Sequence, residues 1–439
     1  MKPLTRTAFG IVSSALFLTG CGLHTSFEDF YRLPRLSDEY ASLNTCLQAL
    51  LDEGAEYAAP QSGQHLQSVQ MVDLNGDGVN EAVAFLRDAD DLKPLKTVIL
   101  TQENNSYQPA AVLEHSGTAF HSISYADLNG DGWQELLIGI GFSADVNALS
   151  AYTISDYTPN ELMHSAYVYY TTDDLNGDGL QELVLLTAET SRNCTAECYA
   201  WADNSLCHAS SAPLSATVSE LERLSAGTLS DGSRALFVTS VQDADTACTD
   251  ILLLQDHQLL NITPGGMTVH PWLELYPSDL NEDGITELPV PVTLPTLDPE
   301  ETSRHLICWQ SCGADGAFST LFLSYHNRSG GWYLLVPESW QDCITVQELR
   351  TGDDATTTFY LWSDRQSTLL PFLEILATDS DSVDPLALPE DQLLLASNST
   401  LTYTARLLPA NSRWSYGLNA ETLLSRFHLI SVDWTLNAN

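Results

Sequence analysis

Four short loops in the sequence concentrate oxygen-bearing side chains in a repeated order. The first loop is Asp73–Glu81, with the sequence DLNGDGVNE, and closely similar loops begin at Asp127, Asp174 and Asp279. The three carboxylates of the first loop repel one another unless a cation lies among them. Calcium accepts about six to eight oxygen ligands in irregular geometry, so each loop is predicted to bind one calcium ion, and the chain about four.

Each predicted calcium site takes its ligands from alternate positions of one loop. Side chains at positions 1, 3 and 5 of a tight loop point inward together, and the glycine at position 6 permits a positive φ. Position 7 offers a main-chain carbonyl, so its side chain is expected to vary freely, and the glutamate at position 9 completes the set. The predicted ligands are Asp73, Asn75, Asp77, Val79 and Glu81; Asp127, Asn129, Asp131, Trp133 and Glu135; Asp174, Asn176, Asp178, Leu180 and Glu182; and Asp279, Asn281, Asp283, Ile285 and Glu287.

An EF-hand, a magnesium site and a metal-free turn are the alternatives to a calcium loop of this kind. An EF-hand carries its ligand glutamate at position 12 of the loop, but that position is apolar in all four loops. The residues there are Ala84, Ile138, Leu185 and Val290. Magnesium requires a tighter octahedron and dehydrates reluctantly. An Asx-rich turn needs no ion, but four copies that keep every ligand favour a metal site.

The loops recur at intervals that indicate an internal repeat of about 50 residues. They begin at residues 73, 127, 174 and 279, and the last interval leaves room for another copy. Residues 226–239 align there with residues 126–139, but Gly227, Leu229 and Ala235 replace three of the ligands. This incomplete copy is therefore predicted to bind no metal.

The segments around the loops have the patterns of short strands. Runs such as EAVAFL follow each loop, and further apolar runs complete each repeat. Four short strands per repeat are typical of a propeller blade. The sequence therefore predicts a mainly β fold, a β-propeller-like array of about five four-stranded repeats followed by a smaller α+β domain. A closed propeller of five to seven blades is expected, an open stack of sheets is the alternative, and the segment after residue 300 is a candidate for a missing sheet.

The repeated loop, D-x-N-x-D-G-x-x-E running into an apolar strand, resembles the FG-GAP/VCBS repeats of integrin-type β-propellers. The resemblance covers about residues 65–300 and is specific at the loops. It implies that each loop joins neighbouring strands of a blade, that calcium rigidifies the hairpin, and that the loop residues named above are the ligands. The chain departs from the family at the incomplete copy, residues 226–239.

The N-terminus has the pattern of a sorting signal. Lys2 and Arg6 precede an apolar run of about eleven residues, which is too short for a stable membrane span. The run ends in LTGC, residues 18–21, which resembles the lipobox of bacterial lipoproteins and implies lipidation of Cys21. An ordinary secretory signal is the alternative. The expected location is the bacterial cell surface, at the outer face of the cytoplasmic membrane, or the periplasm or outer membrane of a Gram-negative cell.

These patterns divide the chain into four predicted segments. They are a lipoprotein signal peptide (1–20), a lipidated tether with a short amphipathic helix (21–60), the calcium-loop β-propeller (61–315) and the α+β domain (316–439). In the last segment, residues 419–430 are predicted to form a helix capped by Asn419.

The composition limits the partners of the chain. It has 58 Asp and Glu against 17 Lys and Arg, a formal charge of −41, so it repels nucleic acid and anionic lipid. The common hydrolase and phosphate-binding motifs are absent, and histidines such as His270 and His305 are scattered. The sequence favours a non-catalytic binding or adhesion module for an extracellular protein or carbohydrate, held at the membrane by its lipid. The alternative is a polymer-degrading hydrolase or lyase, since paired carboxylates leave no local motif.

Eight cysteines follow Cys21 in the sequence. Two pairs have the spacing C-x3-C, Cys194 with Cys198 and Cys308 with Cys312. An extracellular location permits disulfides, and free thiols are also compatible with the sequence. Zinc is disfavoured because no histidine lies at ligand spacing.

Overall fold

The structure is a computed structural model that describes most of the 439-residue chain. The described residues are 38–104, 106–143, 146–188, 194–296, 303–352, 354–363, 369–382 and 387–430. The predicted signal peptide, Cys21 and the tether before residue 37 lie outside these ranges. Within them, neither helix combines the length and the apolar character that a membrane-spanning helix requires.

The first three sheets follow one another along the chain, after helix α1 (Asp38–Asp52). Sheet 1 contains β1 (Glu56–Tyr57), β2 (Val69–Val72), β3 (Glu81–Arg87), β4 (Leu95–Glu103) and β5 (Ser106–His115). Sheet 2 contains β6 (Ala119–Ala126), β7 (Glu135–Ser143), β8 (Val146–Ser155) and β9 (Thr158–Tyr167). Sheet 3 contains β10 (Tyr169–Asp173), β11 (Glu182–Ala188), β12 (Cys194–Ala202) and β13 (Ser205–Pro213).

Three further sheets and helix α2 (Ala420–Arg426) complete the described chain. Sheet 4 contains β14 (Leu221–Thr228), β15 (Arg234–Asp243), β16 (Thr246–Gln255), β17 (Gln258–Asn261) and β18 (Met267–Val269). Sheet 5 contains β19 (Leu288–Thr293), β20 (His305–Cys312), β21 (Phe318–Asn327), β22 (Trp332–Val336) and β28 (Phe427–Leu429). Sheet 6 contains β23 (Ile344–Thr351), β24 (Asp354–Leu361), β25 (Leu370–Asp379), β26 (Leu393–Ser397) and β27 (Leu401–Leu407).

All six sheets are antiparallel, and sheets 2 and 3 are simple four-stranded meanders. Sheets 1 and 4 add one short strand each to four longer ones. The predictions of a mainly β chain and of four-stranded repeats are confirmed at this level.

The strand that follows each of the first three loops is buried on both faces, which explains its continuous apolar sequence. In β3 every residue from Glu81 to Leu86 is buried. Side chains alternate between the two faces of a strand. One face of β3 packs Val83 and Phe85 against sheet 2. The other face packs Ala82 and Leu86 against α1, so the amphipathic helix packs against the repeats as predicted.

Neighbouring sheets pack face to face in sequence order. Separate apolar clusters join sheet 1 to sheet 2, sheet 2 to sheet 3, sheet 3 to sheet 4, sheet 4 to sheet 5, and sheet 5 to sheet 6. Within the described ranges no such cluster joins sheet 6 to sheet 1, whose outer face is covered by Leu43 and Leu47 of α1. The described chain is therefore a consecutive array of six sheets.

The C-terminal segment differs from the predicted α+β domain. The predicted boundary between residues 315 and 316 falls inside sheet 5, between β20 and β21, which pair with each other. Residues 344–407 form sheet 6, and α2 is the only α-helix in the described part of this segment. The boundary is corrected because backbone pairing crosses it, and the segment contributes strands to the array.

The predicted helix over residues 419–430 is correct at its start and wrong at its end. The Asn419 side chain accepts the backbone N–H of Thr422 at 2.8 Å, as expected for a helix cap. The helix ends at Arg426, and β28 then pairs with β22. Phe427 packs on Trp332, with the ring centroids 5.5 Å apart. Residues Phe427–Leu429 therefore form backbone pairs with the edge of sheet 5, which a local sequence pattern does not show.

The eight cysteines in the described residues are free thiols. Cys194 and Cys198 both lie on β12, and Cys308 and Cys312 both lie on β20. A strand rises about 3.3 Å per residue, so four residues separate the two Cα atoms by about 13 Å. A disulfide requires Cα atoms within roughly 7 Å, which excludes a bond within either C-x3-C pair.

Candidate functional site

The four complete loops close hairpins of the same length. In each loop, eight residues lie between the last paired residue and the glutamate at position 9. The closing pairs are Val72 with Glu81, Ala126 with Glu135, Asp173 with Glu182 and Ser278 with Glu287. All the predicted ligands lie in the described residues, and the common register gives each loop the same arrangement.

The glutamate at position 9 is buried in every loop and fixes the start of the loop. Its Oε2 atom accepts the backbone N–H of the leucine at position 2, at 2.8 to 2.9 Å. The donor and acceptor pairs are Leu74 and Glu81, Leu128 and Glu135, Leu175 and Glu182, and Leu280 and Glu287. The side chain that ends the loop is thereby tied to the residue that begins it.

Burial is the main electrostatic influence on these glutamates. It raises the pKa of Glu135 and of Glu287 to about 7. Burial also raises the pKa of Glu81 and of Glu182. In each loop the nearby aspartates raise the glutamate's pKa further, whereas the leucine N–H lowers it. An ionised glutamate at this position is therefore costly without a nearby positive charge.

Backbone N–H groups surround the side chains at positions 1, 3 and 5. In every loop the N–H at position 6 donates to the aspartate at position 1. The N–H at position 5 donates to the asparagine at position 3, and the N–H at position 7 to the aspartate at position 5. Gly132, at position 6 of the second loop, has φ of 87°. A metal-free Asx turn also makes such bonds, so they do not by themselves indicate a cation.

The fourth loop distinguishes the two possibilities more clearly. Asp279, Asp283 and Glu287 place carboxylate oxygens within 4.8 Å of one another. Glu287 Oε1 is buried and has no hydrogen-bond partner among the described residues. Asn281 donates to Asp283 at 3.0 Å, whereas the asparagine of each of the first three loops donates to the glutamate. Buried polar atoms normally have a partner, so this set of oxygens fits a hard cation such as calcium.

Neighbouring loops contact each other at fixed positions. The residue at position 7 of one loop lies against the glycine at position 4 of the preceding loop: Trp133 beside Gly76, and Leu180 beside Gly130. A Cβ atom at Gly130 would lie only 2.5 Å from the Leu180 side chain. A backbone hydrogen bond of 3.1 Å also joins the first two loops. Position 7 was expected to vary freely, but in the second and third loops its side chain has a packing role.

The incomplete copy forms a shorter hairpin. Thr228 of β14 pairs with Arg234 of β15, so only residues 229–233 form the turn. Leu229, which replaces the ligand asparagine, is fully buried. The Arg234 guanidinium forms an ion pair with Asp173, the residue before the third loop, and donates to the Thr228 hydroxyl at 3.1 Å. A fixed positive charge of the protein thus lies beside the third loop.

A cavity of about 810 Å³ lies at the C-terminal end of β19. The fourth loop lies at the other end of this strand, before Leu288. Residues 270–275, the ends of β19 and β21, the start of β20 and Glu348 of β23 line it. His270 and His305, which are far apart in the sequence, both lie here, together with Arg304 and Arg328. Sequence reasoning placed no functional residue at this cavity, because its polar groups come from separate segments and form no local motif.

Comparisons with known proteins do not assign the chain to a family. No family model matches the chain, and no curated protein matches it. Among solved structures, the chain is similar to a crystal structure from Bacteroides fragilis provisionally described as a 6-phosphogluconolactonase. The identity is 10%, the match covers 69% of this chain and 82% of that chain, and the TM-score is 0.25. A likeness at this level assigns no activity to the chain.

Proposed function

We propose that the chain is a calcium-binding, β-propeller-like protein whose four loop sites are structural. The observation that carries this proposal is the fourth loop, where three carboxylates converge and one buried oxygen has no donor among the described residues. The ligands of each site come from one continuous loop and supply most of the shell that calcium needs. Little of that shell is left for a substrate, so a structural role is favoured over a catalytic one.

The loop residues hold the strands on either side of each site. In the first three loops, the aspartate at position 1 directly follows one strand, and the buried glutamate at position 9 is the first residue of the next strand. Bound calcium would neutralise the negative charges of the carboxylates in a loop and remove the repulsion between them. The hydrogen bonds between positions 1 and 6 and between positions 2 and 9 keep the oxygen atoms close together before and after binding.

We further propose that the protein is a non-catalytic binding or adhesion module at a bacterial cell surface. The lipobox-like residues 18–21 support a lipid anchor on Cys21, and the acidic composition suits an extracellular surface. The FG-GAP/VCBS-like loops support a propeller-like arrangement in which the six sheets act as blades. The partner is an extracellular protein or carbohydrate.

The hydrolase alternative is less well supported by the contacts in the cavity. Its two carboxylates are already engaged, Glu348 with Arg304 at 3.3 Å and Glu274 with Arg328 at 2.5 Å. Most glycosidases use two carboxyl groups that face the scissile bond. Binding without cleavage is therefore favoured.

A calcium titration of the chelated protein tests the metal sites. We expect calcium to bind with measurable heat and an equal concentration of magnesium to bind much more weakly. The variant Glu287→Gln removes the central carboxylate of the fourth loop and should remove one site. The control Asp231→Asn changes the incomplete copy and should leave the titration unchanged. Equal binding of calcium and magnesium, or no binding of either, would contradict the proposal.

The lipid anchor has a separate test. Cys21→Ala should abolish incorporation of a labelled fatty acid and release the protein from membranes or leave its precursor uncleaved. The control Cys46→Ala should keep both labelling and membrane association. Persistent labelling of the Cys21 variant would show that the anchor is elsewhere.

A further inference from the structure

The cavity at sheet 5 lies where the segment before the fourth loop, residues 270–278, does not form a strand that pairs with β19. In sheets 2 and 3 the corresponding strand pairs with the strand after the loop along its length. In sheet 5 that pairing is limited to the bridge between Ser278 and Glu287. Pro289 and Pro291 lie two residues apart in β19, so both missing N–H groups fall on one edge. Since β19 pairs with β20 along its other edge, residues 270–275 are left to turn away and enclose a cavity.

The cavity lining contains a substantial apolar surface. Pro271, Leu273, Leu275 and Ile307 contribute to it, and the ring of Trp272 adds an aromatic face. Apolar C–H groups of a ligand gain from contact with such a surface. The lining therefore suits a ligand that has apolar as well as polar faces.

The charged groups of the lining compensate one another in pairs. Arg304 lies 3.3 Å from Glu348, which also accepts a hydrogen bond from Tyr325 at 2.6 Å. Arg328 lies 2.5 Å from Glu274. No arginine of the lining is left to neutralise a ligand's negative charge, and the chain as a whole carries −41. An anionic ligand is therefore disfavoured at this cavity.

Burial disfavours the charged form of two histidines of the lining. Burial lowers the pKa of His326 to about 3, and burial together with Arg304 lowers the pKa of His305. His270 Nδ1 lies 3.6 Å from Asp245 Oδ1. Together with the paired arginines and glutamates, these contacts leave the lining with little uncompensated positive charge.

Two donors of the lining lack an acceptor in the described part of the chain. Trp272 Nε1 and Arg304 Nε are buried and have no hydrogen-bond partner among the described residues. A buried donor without an acceptor costs free energy. Because neither nitrogen is open to the cavity in this structure, a ligand recovers that free energy only if the covering side chains shift on binding. Both donors therefore favour a ligand rich in oxygen acceptors.

We propose that this cavity binds a neutral carbohydrate, with Trp272 Nε1–H and Arg304 Nε–H donating to sugar oxygens and the apolar lining covering a C–H face of the sugar. The inference deepens the proposed function, because it rests on the chain being a binding protein and names the class of its ligand. It does not depend on the calcium loops.

The test measures binding of defined oligosaccharides to the calcium-loaded full chain by calorimetry. The probes are neutral hexasaccharides of glucose, mannose, xylose and galactose, with a galacturonic acid hexasaccharide as the charged counterpart. We expect at least one neutral probe to bind and the charged probe to bind at least tenfold more weakly. Binding of none of the neutral probes, or tighter binding of the charged probe, would overturn the inference.

Variants locate the binding and separate it from general loss of structure. Trp272→Phe keeps an aromatic ring but removes the donor, and Arg304→Lys keeps the charge but removes Nε–H. Each should weaken sugar binding about fivefold to tenfold, as expected for one lost hydrogen bond. Trp272→Ala should abolish binding, and the control Arg413→Lys, at an exposed arginine away from the cavity, should not change it.

Melting curves and calcium stoichiometry of each variant, measured on the same samples, show whether the chain is folded and metal-loaded. Folded variants that bind sugar as the unchanged chain does would contradict the assignment of the cavity. Failure of calcium binding with sugar binding retained would contradict the loop sites and leave the cavity assignment intact.

Discussion

The third loop and the incomplete copy occupy corresponding places in neighbouring sheets, yet they turn the chain differently. The third loop leaves eight residues between Asp173 and Glu182, whereas the incomplete copy leaves five between Thr228 and Arg234. Where the ligands are present, oxygen atoms and glycines keep the hairpin open. Where they are replaced, backbone pairing extends further into the turn.

The two hairpins also differ in how negative charge is compensated. Each complete loop has a buried glutamate and two aspartates, whose charges are costly to hold together without a nearby cation. The incomplete copy keeps only Asp231, and its Arg234 forms an ion pair with Asp173, the residue before the third loop. If the proposed calcium sites exist, this comparison predicts that stability depends on calcium at the complete loops and not at the incomplete copy.

Removing calcium should produce the largest effect on stability. Binding to the folded state alone contributes about 2.7 kcal/mol per site at a hundredfold excess over Kd, so four sites contribute on the order of 10 kcal/mol, comparable to the stability of a whole domain. A chelator should therefore lower the melting temperature by many degrees in differential scanning calorimetry. Calcium, but not magnesium, should restore it. Superimposable traces with and without chelator would show that the loops do not depend on calcium.

A single change in a complete loop should have an intermediate effect that depends on calcium. Glu135→Gln keeps the size of the buried side chain but removes its charge, so it should cost about 2.7 kcal/mol in excess calcium through loss of one site. In chelator the same change should cost little, because no ion is lost. Asp231→Asn in the incomplete copy is the matched control and should cost little under both conditions. An equal calcium-dependent loss in the two variants would remove the distinction between the hairpins.

A pair of glycine variants tests the contact between loops. Gly130 and Gly177 occupy the same position, with φ of 76° and 75°. Either substitution by alanine should cost about 1 kcal/mol from this backbone conformation. Gly130→Ala should cost more, because its Cβ would meet the end of the Leu180 side chain and force it to shift, whereas nothing lies near a Cβ at Gly177. Equal losses in chemical denaturation would show that the loops do not press on each other.

The smallest expected effect concerns the ion pair between Arg234 and Asp173. Arg234→Gln should destabilise the chain by less than about 1 kcal/mol, because its partly exposed ion pair with Asp173 is screened by solvent. The loss should be the same with calcium and with chelator. Urea denaturation under both conditions measures it, and a loss seen only in calcium would place Arg234 in the support of the third site.

The loops could be predicted from the sequence because their chemistry is local. Residue type and spacing within nine positions determine which oxygens meet, and the structure gives all four loops the same register. The incomplete copy was also visible locally, through Gly227 and Ala235. The repeat further predicted four-stranded sheets; two of the six described sheets have four strands and the other four have five.

The C-terminal sheets and the cavity could not be predicted in the same way. β28 adds to β22 from almost 100 residues away, so a local helical pattern misled the assignment of Phe427–Leu429. The cavity combines Trp272, Arg304 and Glu348 from three separate segments. Pro289 and Pro291 of β19 indicate an unpaired strand edge, but the sequence does not show that the segment before the fourth loop is the one left unpaired there.

Native mass spectrometry of the calcium-loaded chain tests the central claim most directly, because it counts the bound ions. Four complete loops and one incomplete copy predict a main species with four calcium ions, and three ions in the Asp73→Ala, Asp77→Ala double variant. Five ions would mean that the incomplete copy binds metal, and no bound ions would contradict the account of the loops.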